Sequence, residues 1–132
     1  MSRPVKFKER FPFDVRKQQS EKLLREHPER IPVIVEKYEK SDCPDIDKKK
    51  FLVQKEMKMA QFICVIRRRI ALQENQSLFL FVDNKPPSMA ATLASIYDKF
   101  RKKHKKDDDG FLYVVYADQE TFGTSSSTNK AE

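Results

Sequence analysis

The stretch Lys50–Ile70, KFLVQKEMKMAQFICVIRRRI, changes its hydrophobic period partway along. Its first part, Lys50–Gln54, carries Phe51, Leu52 and Val53 in sequence and reads as a strand. From Glu56 to Arg69 the apolar residues Met59, Ile63, Ile66 and Ile70 recur at three- and four-residue steps, which is one stripe of a helix. Phe62 and Val65 widen the stripe on one flank. A helix lying on one face of a sheet needs a single stripe, so the flank implies a neighbouring element or a groove.

Outward from this pair, Ile31–Glu36 (IPVIVE) is a β-branched run and a second strand. The polar stretch between the two strands, with Ser41, Asp42, Pro44, Asp45 and Asp47, is longer than a tight hairpin. Upstream, Phe11 and Pro12 open an amphipathic helix that carries Phe13, Ser20, Leu23, Leu24 and His27 on one side and closes at Pro28. Pro12 suits its first helical position, and a shorter helical turn is expected around Pro4–Lys8. Downstream, Leu78–Val82 (LFLFV) reads as a strand ended by Asp83, Asn84 and Pro86-Pro87. Ser88 is the expected N-cap of a helix bearing Met89, Leu93, Ile96, Tyr97 and Phe100, fraying near Lys102. Phe111–Ala117 (FLYVVYA) completes the set as a strand suited to a sheet interior. Helix, strand, strand, helix, strand, helix, strand suits an α+β, β-grasp core preceded by helical segments.

At 132 residues and 39% hydrophobic content the chain can build one core but hardly two. No run approaches the roughly 18 apolar residues of a membrane-crossing helix, and the amino terminus lacks a signal-peptide core. With only Gly110 and Gly123, no glycine-rich phosphate cradle exists. Cys43 and Cys64 lack metal-ligand spacing, which fits a reducing cytosol; Cys64 is expected to be a small buried hydrophobe, and Cys43 lies in a polar loop. His27 and His104 read as solvated or packing residues, so no catalytic residue, metal or cofactor is assigned.

The net charge of +7 is uneven. Residues 1–70 hold 19 Lys/Arg against 11 Asp/Glu, and residues 71–132 hold 8 against 9. A basic half suits an acidic partner of some kind. The run Lys99–Asp109, KFRKKHKKDDD, reads as a solvated loop whose opposed charges can fold back on each other. It lacks the interleaved aromatics that stack bases, so nucleic acid is not the expected partner.

Five ordered blocks carry a more specific signal: PERIPVIVEKYEK at Pro28–Lys40, DKKKFLV at Asp47–Val53, FICVIRRRI at Phe62–Ile70, LFLFVDNKPP at Leu78–Pro87 and FLYVVYADQETFG at Phe111–Gly123. Together they closely resemble the autophagy ubiquitin-like modifiers, the family of GABARAP and microtubule-associated protein light chain three. The match runs from about Phe11 to Gly123. It implies a ubiquitin-like β-grasp fold with two added amino-terminal helices: residues 1–27 as a helical segment packed on the core, 28–123 as the core, and 124–132 as a flexible tail.

The resemblance also implies a function in which the chain is substrate rather than enzyme. A cysteine protease would cut between Gly123, preceded by Phe122, and Thr124. E1-like and E2-like enzymes would then pass the Gly123 carboxylate to phosphatidylethanolamine, moving a cytoplasmic monomer to autophagosome and vesicle membranes. The tail TSSSTNKAE has no apolar residue except one alanine and cannot pack, which suits a proteolytic site.

A second implied activity is capture of short aromatic-x-x-aliphatic motifs in autophagy receptors and adaptors, as a strand added beside Lys50–Val53. By matching positions, Leu23, Pro32, Lys50, Leu52 and Phe111 form the aromatic pocket. Phe51, Val53, Met57, Phe62 and Val65 form the aliphatic one, and Arg30, Lys48, Lys49 and Arg69 would attract accompanying acidic residues. Gln54 departs from the proline usual in vertebrate relatives, and the loop Arg101–Gly110 is longer and more charged than theirs. An unconjugated peptide-binding adaptor with the same fold is the alternative.

Overall fold

Four strands form one mixed sheet in the computed structural model, which describes residues 5–119: β1 (Arg30–Lys37), β2 (Lys50–Gln54), β3 (Phe79–Phe81) and β4 (Leu112–Ala117). Their order is β2-β1-β4-β3, with β1 and β4 parallel at the centre and both outer pairs antiparallel. The central strands read as near-continuous apolar runs because both their faces are covered. Pro32 is tolerated in a central strand because pairing with β4 begins only at Val33, opposite Leu112.

One face is covered by α3 (Met59–Arg69) and α4 (Leu93–Lys103). Met59, Phe62, Ile66 and Ile70 of the α3 segment join Val33, Val35, Leu80, Leu112, Val114 and Tyr116 in the main core. The buried stripe therefore runs through Phe62, and Ile63 is only half-buried. On the other face Phe7 of α1 (Phe7–Arg10) meets Ile34 and Phe111, beside Leu23 of α2 (Phe13–Glu26). The sequence expectation of a β-grasp core carrying two amino-terminal helices matches this architecture. No helix among the described residues is long and apolar enough to cross a membrane.

Several local expectations are corrected. Pro12 is the N-cap of α2, one position before the first helical residue, and Phe13 is exposed. Helix α4 starts at Leu93, capped by Thr92, whose side chain accepts from Ser95 N–H at 3.2 Å. Ser88 caps only a turn, accepting from Ala90 N–H at 3.3 Å, and Met89 is exposed. The cause is tertiary. The carbonyls of Ala91 and Met89 accept the first-turn amides of α3, Met59 (2.9 Å) and Ala60 (3.0 Å), so they satisfy that helix's orphan donors. The cysteines are reversed: Cys43 is buried and Cys64 is exposed.

The charged run Lys99–Asp109 does fold back on itself, with Arg101 Nε 2.8 Å from Asp108 Oδ2. Its last carboxylate, however, is not solvated. Asp109 is 2% exposed and accepts from Arg16 Nε (2.7 Å), Tyr113 Oη (2.5 Å) and Phe111 N–H (3.0 Å). Arg16 also donates to the Phe11 carbonyl at 2.7 Å, and Ser20 Oγ donates to the Asp109 carbonyl. Gly110 makes the close approach possible: at φ +90°, an added Cβ would lie 2.1 Å from Ser20 Oγ.

Burial first, then hydrogen bonding and charge from Asp109, pushes the Tyr113 phenol far above its ordinary range. Burial also raises Tyr97 and Tyr116. Unfolded tyrosine ionises near pH 10, so above that pH the unfolded chain has lost protons that the folded chain retains. Stability is therefore full below about pH 10 and declines as the pH rises beyond it. Denaturant midpoints across an alkaline series should fall in that window, and Tyr113→Phe should flatten the fall.

Candidate peptide-binding edge

β2 is one edge of the sheet, and the phase of its ladder decides which backbone groups face out. Val35 N–H donates to the Lys49 carbonyl (2.8 Å) and Lys55 N–H to the Glu29 carbonyl (3.3 Å). Antiparallel pairs alternate, so Lys49, Phe51, Val53 and Lys55 turn their backbone groups towards β1. Lys50, Leu52 and Gln54 turn theirs outward, where no strand of the described residues lies beside them. Such an edge is a template for another strand.

Side chains alternate across the same strand. Phe51 and Val53 point into the α3 side, where the Phe51 ring meets Phe62 edge-on at 6.0 Å. Between β2 and α3 opens a groove of about 310 Å³. The structure brings together there all five residues of the expected aliphatic site: Phe51, Val53, Met57, Phe62 and Val65. Arg30, Leu52 and Gln54 also line it.

On the opposite face Leu52 pairs with Pro32 and Lys50 with Ile34. Lys50 Nζ donates to Gln19 Oε1 of α2 at 3.0 Å, and Leu23 is half-buried in the adjacent cluster. Phe111 departs from the expectation. Its ring is 0% exposed and lies 5.2 Å from Phe7, so in this conformation it supports the aromatic face from beneath Phe7 and does not line it.

The four expected basic contacts divide. Arg30 is exposed at the groove, and Lys48 Nζ sits 5.1 Å from the Phe51 ring centroid. Lys49 is held by Glu36 (3.6 Å) and the Val5 carbonyl (2.5 Å), and Arg69 pairs with Asp47 at 3.0 Å. Exposed pairs of the latter kind contribute about 0–1 kcal/mol and open readily to a competing carboxylate. Sequence reading missed Gln54 as an edge donor, because the phase of a ladder is set by its partner strand.

Among the described residues no group of three or more His, Cys, Asp or Glu could hold a metal ion. Phe122, Gly123 and Thr124, the expected cleavage and conjugation site, lie outside the described residues.

Comparison with known proteins agrees along most of the chain. Residues 15–123 match the family model described as autophagy protein Atg8, ubiquitin-like. Autophagy-related protein 8 of Coccidioides immitis is 48% identical over 118 residues, spanning 89% of this chain and 97% of its own. The protein of the same name from Neosartorya fischeri is 47% identical over 118 residues, spanning 89% and 96%. The crystal structure of Trypanosoma brucei ATG8 superposes with a TM-score of 0.79 at 36% identity, covering 92% of this chain and all of that one. With the mixed four-stranded sheet and the two amino-terminal helices, these similarities establish that the chain belongs to the Atg8 family of autophagy ubiquitin-like proteins.

Proposed function

We propose that the chain is a conjugated modifier, cut by a cysteine protease after Gly123 and joined there through E1-like and E2-like enzymes to phosphatidylethanolamine. The observation that carries this is the family match ending at residue 123, where a Phe-Gly pair stands before a polar tail. Attachment to a two-chain lipid moves the domain from the cytoplasm to autophagosomal and vesicle membranes, because buried acyl chains contribute about 0.8 kcal/mol per methylene. Mass spectrometry of the protein from its own cytosol should find chains ending at Gly123, some bearing the lipid. Recovery of only full-length chains ending at Glu132 would sink the proposal.

Once on the membrane, the protein recruits receptors and adaptors through aromatic-x-x-aliphatic peptides. An odd spacing of three sends the two anchors to opposite faces of an added strand, which suits the groove on the α3 face of β2 and the half-buried Leu23 and Leu52 on the α2 side. The apolar anchors dominate affinity, since burying each contributes about 1.5–3 kcal/mol. Leu52→Ala should therefore weaken a labelled peptide with tryptophan and leucine three positions apart by about tenfold or more, measured by fluorescence anisotropy. An unchanged affinity would remove this part of the proposal. If Leu52→Ala abolishes function in cells and Gly123→Ala does not, the unconjugated adaptor replaces the modifier.

A further inference from the structure

The ladder phase that opens the edge of β2 also leaves the Gln54 N–H pointing out of the sheet. Its carbonyl is already engaged, accepting Met57 N–H at 3.1 Å in the turn that follows the strand. The edge therefore offers five backbone groups in line: both groups of Lys50, both groups of Leu52, and the Gln54 amide. The Gln54 side chain is exposed and lines the groove beside Met57, so the amide borders the site of the aliphatic anchor.

We infer that Gln54 is a specificity-determining residue, whose backbone N–H gives an added peptide strand one further hydrogen bond. This rests on the peptide-recognition part of the proposal above. On that proposal the aromatic anchor sits at Lys50 and Leu52, and the groove for the aliphatic anchor extends beyond β2 to Met57. A ligand with its aromatic residue first therefore runs parallel to β2. In a parallel pair one ligand residue donates to the Lys50 carbonyl and accepts from Leu52 N–H. The ligand residue two positions on donates to the Leu52 carbonyl and accepts from Gln54 N–H. That last bond fixes the ligand backbone as it enters the groove, so ligands extended throughout this stretch are favoured.

Gln54→Pro removes the donor with little risk to the fold, because proline is tolerated on an edge strand where its missing N–H would face outward. Gln54→Ala keeps the donor and removes the side chain. With the tryptophan–leucine peptide, Gln54→Pro should bind about three- to tenfold more weakly than Gln54→Ala, the range carried by one backbone hydrogen bond, because both variants lack the side chain and only Gln54→Ala keeps the donor. In the wild-type chain, the Gln54 amide proton should also shift downfield and exchange more slowly when the peptide is added. Equal affinity of Gln54→Pro and wild type, or equal loss in both variants, overturns the inference while leaving peptide recognition standing. If the wild-type chain does not bind the peptide, recognition itself fails and the inference with it.

Discussion

Gly123→Ala is expected to keep the protein full length and reduce its membrane-attached fraction to background. The reason is steric and chemical together. On the proposed scheme the residue must pass through the narrow clefts of a protease and of two thioester-forming enzymes, and glycine alone presents no side chain to them. Its carboxylate is then the atom group that forms each bond, so a block at the first cut removes every later step. A methyl group misplacing the scissile carbonyl by about 1 Å can cost roughly 10²-fold at a single step, and successive steps multiply. Membrane flotation with mass spectrometry of the carboxyl terminus reads both effects. If the Gly123→Ala chain is cut after the substituted position and floats like the wild type, the conjugation scheme is refuted. The fold of the described residues should be unaffected, because residue 123 lies outside them and the last of their strands ends at Ala117.

The second large effect is on stability. Asp109→Ala leaves Arg16, with a side chain only 10% exposed, as an uncompensated buried charge, and removes the acceptor for Tyr113 Oη and Phe111 N–H. Breaking a buried pair on one side costs about 3–5 kcal/mol, so the melting temperature should fall by roughly 10–20 °C. Because the pair ties α2 to the segment before β4, amide exchange in Phe13–Glu26 should accelerate more than exchange in the β1–β4 pair. The double variant Arg16→Met with Asp109→Asn should recover part of the loss. It removes the stranded charge and keeps an acceptor for Phe111 N–H. A melting temperature for Asp109→Ala within about 2–3 °C of wild type, equivalent to 1 kcal/mol or less, would show that this cluster does not hold the amino-terminal helices.

Neither the Asp109 cluster nor the Gln54 amide was legible in the sequence. Asp109 stands in a run of lysines and aspartates that reads as solvated, and its partner Arg16 is 93 positions away. Gln54 stands out only as a departure from the proline of vertebrate relatives, and nothing local says that its N–H will face outward. By contrast, the surplus of apolar residues on α3 was legible in Phe62 and Val65, although folding puts Phe62 on the buried stripe and leaves Val65 half-buried at the groove. Phe111 is buried beside Phe7 in this conformation, a contact that nothing local to either residue signals.

The sequence by itself determined the order of elements, the apolar faces of α3 and the strands, and the glycine before a tail without the apolar residues to pack. These follow from periodicity and composition, which act between residues near in sequence. The tertiary structure decided where α4 begins, since the carbonyls of Met89 and Ala91 serve the amides of α3. It also decided which carboxylate is buried and which backbone amides of β2 stay open. Each depends on a partner distant along the chain, and only folding brings that partner within hydrogen-bond reach.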